Sequence, residues 1–499
     1  MTTLEPTVID LRLVPAALTC WAVTAAGLFW GPWGAGAAVC VAVAVMGVLA
    51  HRTAAVRLAA IAAVVSVGVA FALVVTLRLH ALATHPLAGL FGSTVSVTLA
   101  PVESPRPISG GRLMFAAALH AVRDTQTSGR VMVFTPATGF DQASAGRPMT
   151  LLGRIGKPKR RDLSVATLAA VGEPRFGTAS TLQRGGARVR DDFAELSRQG
   201  LPPDQAALLP GLILGDTSGF GAEDTAVFRR AGLTHLTAVS GANVTIVCGA
   251  VLLSAMLVGP RLAVGLAALA LFAFVVVVQP SASVLRAAAM GSVMLLGIVT
   301  RRRRQAIPAL AATVLVLMVI SPQLAVDVGF ALSVSATAAL VTFAPVWSRW
   351  LVARGWPKPL ADAACVAVAA QAVTAPLVAA ISGQLSIIAV VANLLVAPVI
   401  APITILGTAA AAVAWCWPGG AALLIRFTGP ELWWLLKVAH RSAALPGAAI
   451  TVPSGWGGAL LVGASTAMVA TFPRLWRRRK RPPVPPGTRP PGMKRSTGD

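Results

Sequence analysis

The sequence predicts a polytopic α-helical membrane protein that carries a small β-barrel outside the bilayer. Three observations predict it. The chain has 499 residues, of which 56% are hydrophobic and 12% charged, with a mean hydropathy of +0.75; in soluble domains about a quarter of the residues are charged. Apolar stretches of the length that a bilayer core requires, about 20 residues, recur along most of the chain. The one long exception, residues 80–205, alternates apolar and small polar residues in short runs.

The first spans fall near residues 13–30, 35–50 and 58–78. Arg12 ahead of an apolar stretch is compatible with a cleaved signal peptide, but two more spans follow at once, which marks a first transmembrane helix. Later spans are expected near 233–258, 261–279, 283–300, 306–320, 324–346, 360–381 and 385–416. Candidate crossings at 421–440 and 455–472 bring the number to about eleven or twelve. Residues 385–416 contain Pro398 and Pro402 and read as one kinked helix or two re-entrant halves, because broken helices are tolerated where they line a cavity. Cytoplasmic loops collect Lys and Arg. That places Arg301 to Arg304, the loop with Arg349, Arg354 and Lys358, and the run from Arg474 to Arg481 inside. Counting back from Arg301 and forward from the N-terminus both put residues 80–205 outside.

In that external region Val95, Val97 and Leu99 alternate with small polar residues, and similar runs lie at 113–121, 131–134, 149–155 and 165–171. Turn residues separate them. Five short strands of this kind suit a small barrel such as an OB-fold. An amphipathic helix follows over residues 187–199, with Val189, Phe193 and Leu196 on one side, and is expected to lie on the outer membrane surface. The organisation is therefore N-terminal transmembrane helices over 1–79, an external OB-like domain over 80–180, and an amphipathic linker with motif helices over 181–232. A transmembrane domain over 233–472 and a basic, proline-rich cytoplasmic tail over 473–499 complete it.

The net charge is +24, and inside-facing loops account for much of it. Residues 81–200, however, hold 15 Lys and Arg against 8 Asp and Glu, and an inside bias cannot create an excess outside. Arg154, Lys157, Lys159, Arg160 and Arg161 crowd one hairpin turn, while Arg184, Arg188 and Arg190 form a second group. A polyanion suits such a patch through counterion release; anionic lipid head groups are the other partner of matching charge. Stacking rings are sparse, since the chain has no tyrosine. Loose electrostatic guiding of a strand is expected rather than tight single-strand binding. None of the five cysteines lies between residues 81 and 200, and no Cys or His pair has metal-ligand spacing, so neither metal nor cofactor is expected.

Polar residues inside spans mark function or pairing, because they are costly at bilayer depth. His235, Arg286 and Asp327 fall at similar depth near the outer face, and Arg286 with Asp327 could form an ion pair. Ser240, Gly241, Asn243, Ser333, Ser335, Gln371, Gln384 and Asn393 add hydrogen-bonding surface without net charge. Such surface suits a conduit, where binding must be weak enough to release; bonds to the helix backbone or packing between helices are the alternatives for each.

The stretches LPGLILGD (Leu209 to Asp216), FRRAGLTHL (Phe228 to Leu236) and AVSGANV (Ala238 to Val244) resemble the signature of the ComEC family of competence proteins. PSASVLRAAAMG (Pro280 to Gly291), SPQLAVDVGFALSVSAT (Ser321 to Thr337) and the stretch from Gln371 to Pro398 are similar to further elements of that family. Val328 and Ala331 stand where the family has proline and glutamine. The resemblance implies an OB-like domain and a multi-pass channel carrying single-stranded DNA across the bacterial inner membrane. It points to a channel mouth of Asp216, Arg229, Arg230, His235, Arg286 and Asp327, and to a lining of Ser240, Gly241, Asn243, Ser333, Gln371 and Asn393. No residue is expected to make or break a bond. Many family members carry a C-terminal metallo-β-lactamase-like domain; the HxHxDH arrangement is absent from this chain, so the form without that domain is expected. The implied partners are single-stranded DNA, the lipid bilayer, a DNA receptor, a separate nuclease and, because no GxxxxGK[ST] loop is present, a cytoplasmic ATP-driven motor.

Two other readings stand beside this one. A secondary transporter for a small anionic solute would share broken helices and Arg286 but would not need a basic external domain. An intramembrane serine hydrolase would use Ser240 with His440, although Ala238-Val239 precede the serine where a GxSG motif needs glycine.

Overall fold

The computed structural model describes residues 10–52, 58–103, 105–108, 110–123, 125–140, 142–158, 161–217, 219–237, 239, 241–255, 259–279, 282–299 and 306–479. Ser240, Lys159, Arg160 and the Arg301–Arg304 run lie outside the described residues. The chain divides into two compact units: Met1–Gln371 with Ser386–Ile450, and Ala372–Leu385 with Thr451–Asp499.

Helix α1 (Val14–Arg52) is one element only in name. Gly31 adopts φ 71°, a conformation open to glycine, and Pro32 follows without an N–H to continue the ladder. The two arms fold back on each other, so that a Cβ on Gly27 would sit 3.3 Å from the Cβ of Ala35. With α2 (Leu58–Ala83) these arms give the three N-terminal segments expected from hydropathy. They share a core with residues far along the chain: Trp21 Nε1 donates to the Ala325 carbonyl at 2.9 Å, and its ring meets Phe330 edge-on at 5.1 Å.

The barrel uses β1 (Thr94–Pro101), β2 (Arg106–Ile108), β3 (Arg112–Val122), β4 (Thr125–Pro136), β5 (Met149–Gly156) and β6 (Ala166–Phe176). β1 pairs with both β5 and β3, which closes the ring β1-β5-β6-β4-β3; all pairings are antiparallel except β4 with β6. This closed five-stranded arrangement is OB-like. Alternation does the work: Val95, Val97, Leu99, Phe115, Leu119, Val133, Leu151, Ile155 and Leu168 fill the interior while their neighbours face out. The expectation of five strands needs one correction. β2 adds a short sixth strand on the edge of β3, and its three residues include Pro107, which hides it from a pattern search.

Helix α3 (Thr181–Gly200) starts on a capping box between Ser180 and Gln183. Its apolar face is amphipathic as expected, but its placement on a membrane surface is corrected. Phe193 is fully buried, and Val189 and Leu196 pack with it into the helical core. That core is shared by α4 (Pro203–Leu214), α5 (Ala222–Ala231), α6 (Gly241–Ala255), α7 (Pro260–Val278) and α8 (Ala282–Val299). After α9 (Ala306–Ile320), α10 (Val328–Thr342), α11 (Ala344–Val352) and α12 (Lys358–Ser382), the core is completed by α13 (Ala389–Val413), α14 (Pro418–Phe427) and α15 (Gly429–Ala444).

Among the described residues six helices are long and apolar enough to cross a membrane, and α6, α8 and α9 are shorter apolar helices. The protein is thus a multi-pass membrane protein with a small barrel domain. α13 runs unbroken through Pro398 and Pro402, which settles the 385–416 alternative in favour of one helix. The crossing drawn at 421–440 is corrected to two short helices, α14 and α15, that meet at Thr428 just before Pro430. In the second unit, Ala375 and Ala379 at the end of α12 pack against Val462 of α16 (Trp456–Arg479).

Candidate nucleic-acid conduit

Helix α4 ends on Gly215 in the left-handed conformation (φ 76°), whose N–H reaches back to the carbonyls of Gly211 and Pro210. The chain turns through Asp216 and enters α5 after Gly221. Glu223 and Asp224 occupy the first turn of α5, and Arg229 and Arg230 the last, the order that the helix dipole favours. Gly232 (φ 74°) ends the helix, and no side chain would fit there, because a Cβ would collide with Ala389 at the head of α13. Ser386 Oγ donates to the Arg230 carbonyl at 2.8 Å, and Gln371 Nε2 donates to the Ser386 carbonyl at 3.4 Å. Two motifs more than a hundred residues apart in sequence are therefore knitted together by backbone carbonyls.

Arg229, Arg230 and His235 are exposed around this turn. A Cβ on Gly241, which opens α6, would lie 3.7 Å from Ala287, the neighbour of Arg286 on α8. Arg286 in turn lies 5.7 Å from the ring of Phe330, in the first turn of α10. The N-terminal part of α8 thus lies beside the starts of both α6 and α10.

The expected ion pair is corrected. Among the described residues no salt bridge joins Arg286 to Asp327; the carboxylate of Asp327 instead accepts the Phe330 N–H at 2.6 Å and caps α10. Arg286 is only 6% exposed, and its Nε and Nη1 have no hydrogen-bond partner among the described residues. Leaving buried N–H groups of a cation unpaired costs several kcal/mol in principle, so this guanidinium is the conspicuous polar group of the core.

Most of the expected lining is occupied otherwise. Asn243 is buried and donates from Nδ2 to the Leu212 carbonyl at 2.8 Å, tying α6 to the last turn of α4. Asn393 donates to Ala389 of its own helix at 2.8 Å, and Ser335 to Ala331 at 2.6 Å. Ser333 is half-buried on α10, where its carbonyl accepts the Thr337 hydroxyl at 2.8 Å. These are the backbone and interhelical roles that the sequence left open. The sequence reading passed over Glu431 Oε2 and Gln205 Oε1, two buried acceptors without a partner among the described residues. A lone carboxylate in the apolar stretch 421–440 was the signal.

On the barrel, Arg154, Lys157 and Arg161 are exposed around the β5–β6 hairpin, and Arg184 and Arg188 are exposed on α3. Arg190 does not belong with them: its Nη1 donates to the Val277 carbonyl near the end of α7 at 2.7 Å. Burial pushes its pKa below the ordinary arginine value, and Asp191 and Asp216 oppose that shift. Asp216 is therefore close enough to Arg190 for its charge to be felt there. Gln183 Nε2 donates to Ala145 O at 3.3 Å and Ala145 N to Gln279 Oε1 at 3.4 Å, which links barrel, α3 and the end of α7. Among the described residues no group of three His, Cys, Asp or Glu could hold a metal.

A helical core with six helices long and apolar enough to cross a membrane, and a barrel linked to it, defines a multi-pass membrane protein with a small barrel domain. Residues 212–477 match the Competence protein family, just over half of the chain, and the chain belongs to that family. It is 26% identical over 212 residues to ComE operon protein 3 of Bacillus subtilis (strain 168), an alignment covering 42% of this chain and 26% of that relative's length. No solved structure matches. The barrel lies outside the family match, whereas α5, α6, α8, α10 and α13 lie within it.

Proposed function

We propose that the chain conducts single-stranded DNA across the bacterial inner membrane during natural transformation. Family membership supports a role in DNA uptake. The observation that carries the finer reading is the convergence of four motif segments on Arg229, Arg230, His235 and Arg286, whose Nε and Nη1 have no hydrogen-bond partner among the described residues. Exposed cations at the turn would receive phosphates, and the largely uncharged interior would let them go. The basic hairpin of the barrel would hold the strand loosely by charge. On this reading the chain acts as a conduit, and a DNA receptor, a separate nuclease and an ATP-driven motor would be supplied by partners.

The test is uptake of labelled DNA in a deletion strain, scored separately for surface-bound and nuclease-protected DNA. Bound DNA should persist while protected DNA disappears and returns with the gene; unchanged protected DNA overturns the reading. A transporter for a small anion also has use for Arg286, and removal of residues 92–178 separates the two, since solute transport should survive it. For the hydrolase reading, His440 Nδ1 contacts the Leu436 carbonyl of its own helix at 2.9 Å, and Ser240→Ala should leave uptake largely intact.

A further inference from the structure

A pocket of ≈ 300 Å³ opens where the barrel meets the ends of α2 and α9. Its polar lining is basic. Arg130 of β4 has a buried Nε with no hydrogen-bond partner among the described residues, and Ser164, between two wall residues, has an equally unpartnered buried Oγ. Arg78, near the end of α2, is exposed and makes no hydrogen bond or ion pair among the described residues. His85 is already committed: its Nδ1 accepts the Leu87 N–H at 3.2 Å, so Nε2 carries the proton and donates to the Ser128 carbonyl at 3.1 Å. The nearby carboxylate, Asp162, accepts the Ser164 N–H at 3.2 Å.

Ser128 and Gln323 add uncharged polar groups to the wall, and the rest of it is apolar. Leu82, Leu163 and Ile320 line it. Leu163, in the left-handed conformation at φ 61°, reaches from the barrel onto the cluster that Phe71, Val75, Val314 and Leu317 form between α2 and α9. A β-carbon residue holds that conformation only where its surroundings impose it. On the same two helices Leu73, Leu77, Val316, Val319 and Ile320 expose apolar side chains outward.

We propose that this pocket holds the phosphate head group of an anionic membrane lipid. Arg130 and Arg78 grip the phosphate, and the acyl chains lie along the exposed faces of α2 and α9. The lipid thereby seats the barrel on the bilayer. Paired guanidinium groups suit phosphate oxygens. A DNA strand offers the same phosphate chemistry, but among the described residues no Phe or Trp lines the pocket for a base to stack on, and the His85 ring is held by its two hydrogen bonds; the pocket also sits at the ends of bilayer helices. The inference does not depend on the DNA-conduction reading.

The full-length protein in mixed micelles, offered phosphatidylglycerol and phosphatidylcholine in equal amounts and read by native mass spectrometry, tests it. The wild type should retain phosphatidylglycerol at least about fivefold over phosphatidylcholine, the effect of ~1 kcal/mol per arginine at a lipid surface. R78Q/R130Q should abolish that preference. R78Q alone changes only an exposed side chain, leaves the fold untouched and should weaken the preference. A triple R154Q/K157Q/R161Q variant should keep the preference while weakening the salt dependence of oligonucleotide binding. Equal retention of both lipids by the wild type, or an unchanged preference in R78Q/R130Q, overturns the proposal. Displacement of phosphatidylglycerol by a short oligonucleotide assigns the pocket to DNA instead, and also overturns it.

Discussion

The barrel turns its charge outward, with Arg154, Lys157 and Arg161 exposed around one hairpin over a largely apolar interior. The helical core does the reverse: its polar side chains are drawn in and tied down, Asn243 to Leu212, Gln371 to Ser386, Asp327 to Phe330. Only Arg286 is buried in that core with its cationic N–H groups unpaired among the described residues. Water explains the difference. A barrel bathed in it can carry charge at little cost, whereas each polar group within a bilayer must find a partner or a function. On the proposed reading, capture by diffuse charge would fall to the barrel and passage to the sparsely charged core, as separate tasks of separate regions.

That division can be broken at several points. Phe115→Ala should destabilise the barrel most, by about 3–5 kcal/mol; protease cleavage within residues 94–176 at lower denaturant, with the helical core uncut, would show that the barrel stands on its own interior. Asn243→Ala leaves the Leu212 carbonyl without its partner and should cost about 1–3 kcal/mol, read as a lower thermal aggregation midpoint in detergent with oligonucleotide capture unchanged. Arg286→Ala should cut nuclease-protected DNA by at least about tenfold, equivalent to 1.4 kcal/mol, while surface-bound DNA stays constant. If both pools fall together, capture and passage are one task. The smallest effect belongs to R154Q/K157Q/R161Q, which should reduce the salt slope of single-strand binding by about 0.7 for each phosphate no longer neutralised and leave Arg286-dependent passage in place.

The barrel was largely legible because alternation at period two depends on each strand alone, and β5 and most of β1 followed it. β2 was not, since three residues with a proline carry no period. In the helical core, periodicity announced that α3 had a buried face but not what covered it; the partner proved to be the helical core. The Arg286–Asp327 pair failed for a local reason. An aspartate heading an apolar run just after Pro322 is an N-cap signature, and that nearby N–H competes for the carboxylate. Arg190 could not be sorted from Arg184 and Arg188 by sequence, because its partner is a backbone carbonyl 87 positions away.

The bond from Trp21 to Ala325 spans 304 residues, and that separation sets a timetable. A ribosome adding about 5–20 residues per second delivers Ala325 some tens of seconds after Trp21. Through that interval the first helical hairpin must wait in the bilayer with its indole N–H unanswered and its face for α9 and α10 bare. A chaperone or insertase that shelters α1 and α2 for that period would be as much a part of the protein's biogenesis as the residues that finally cover them.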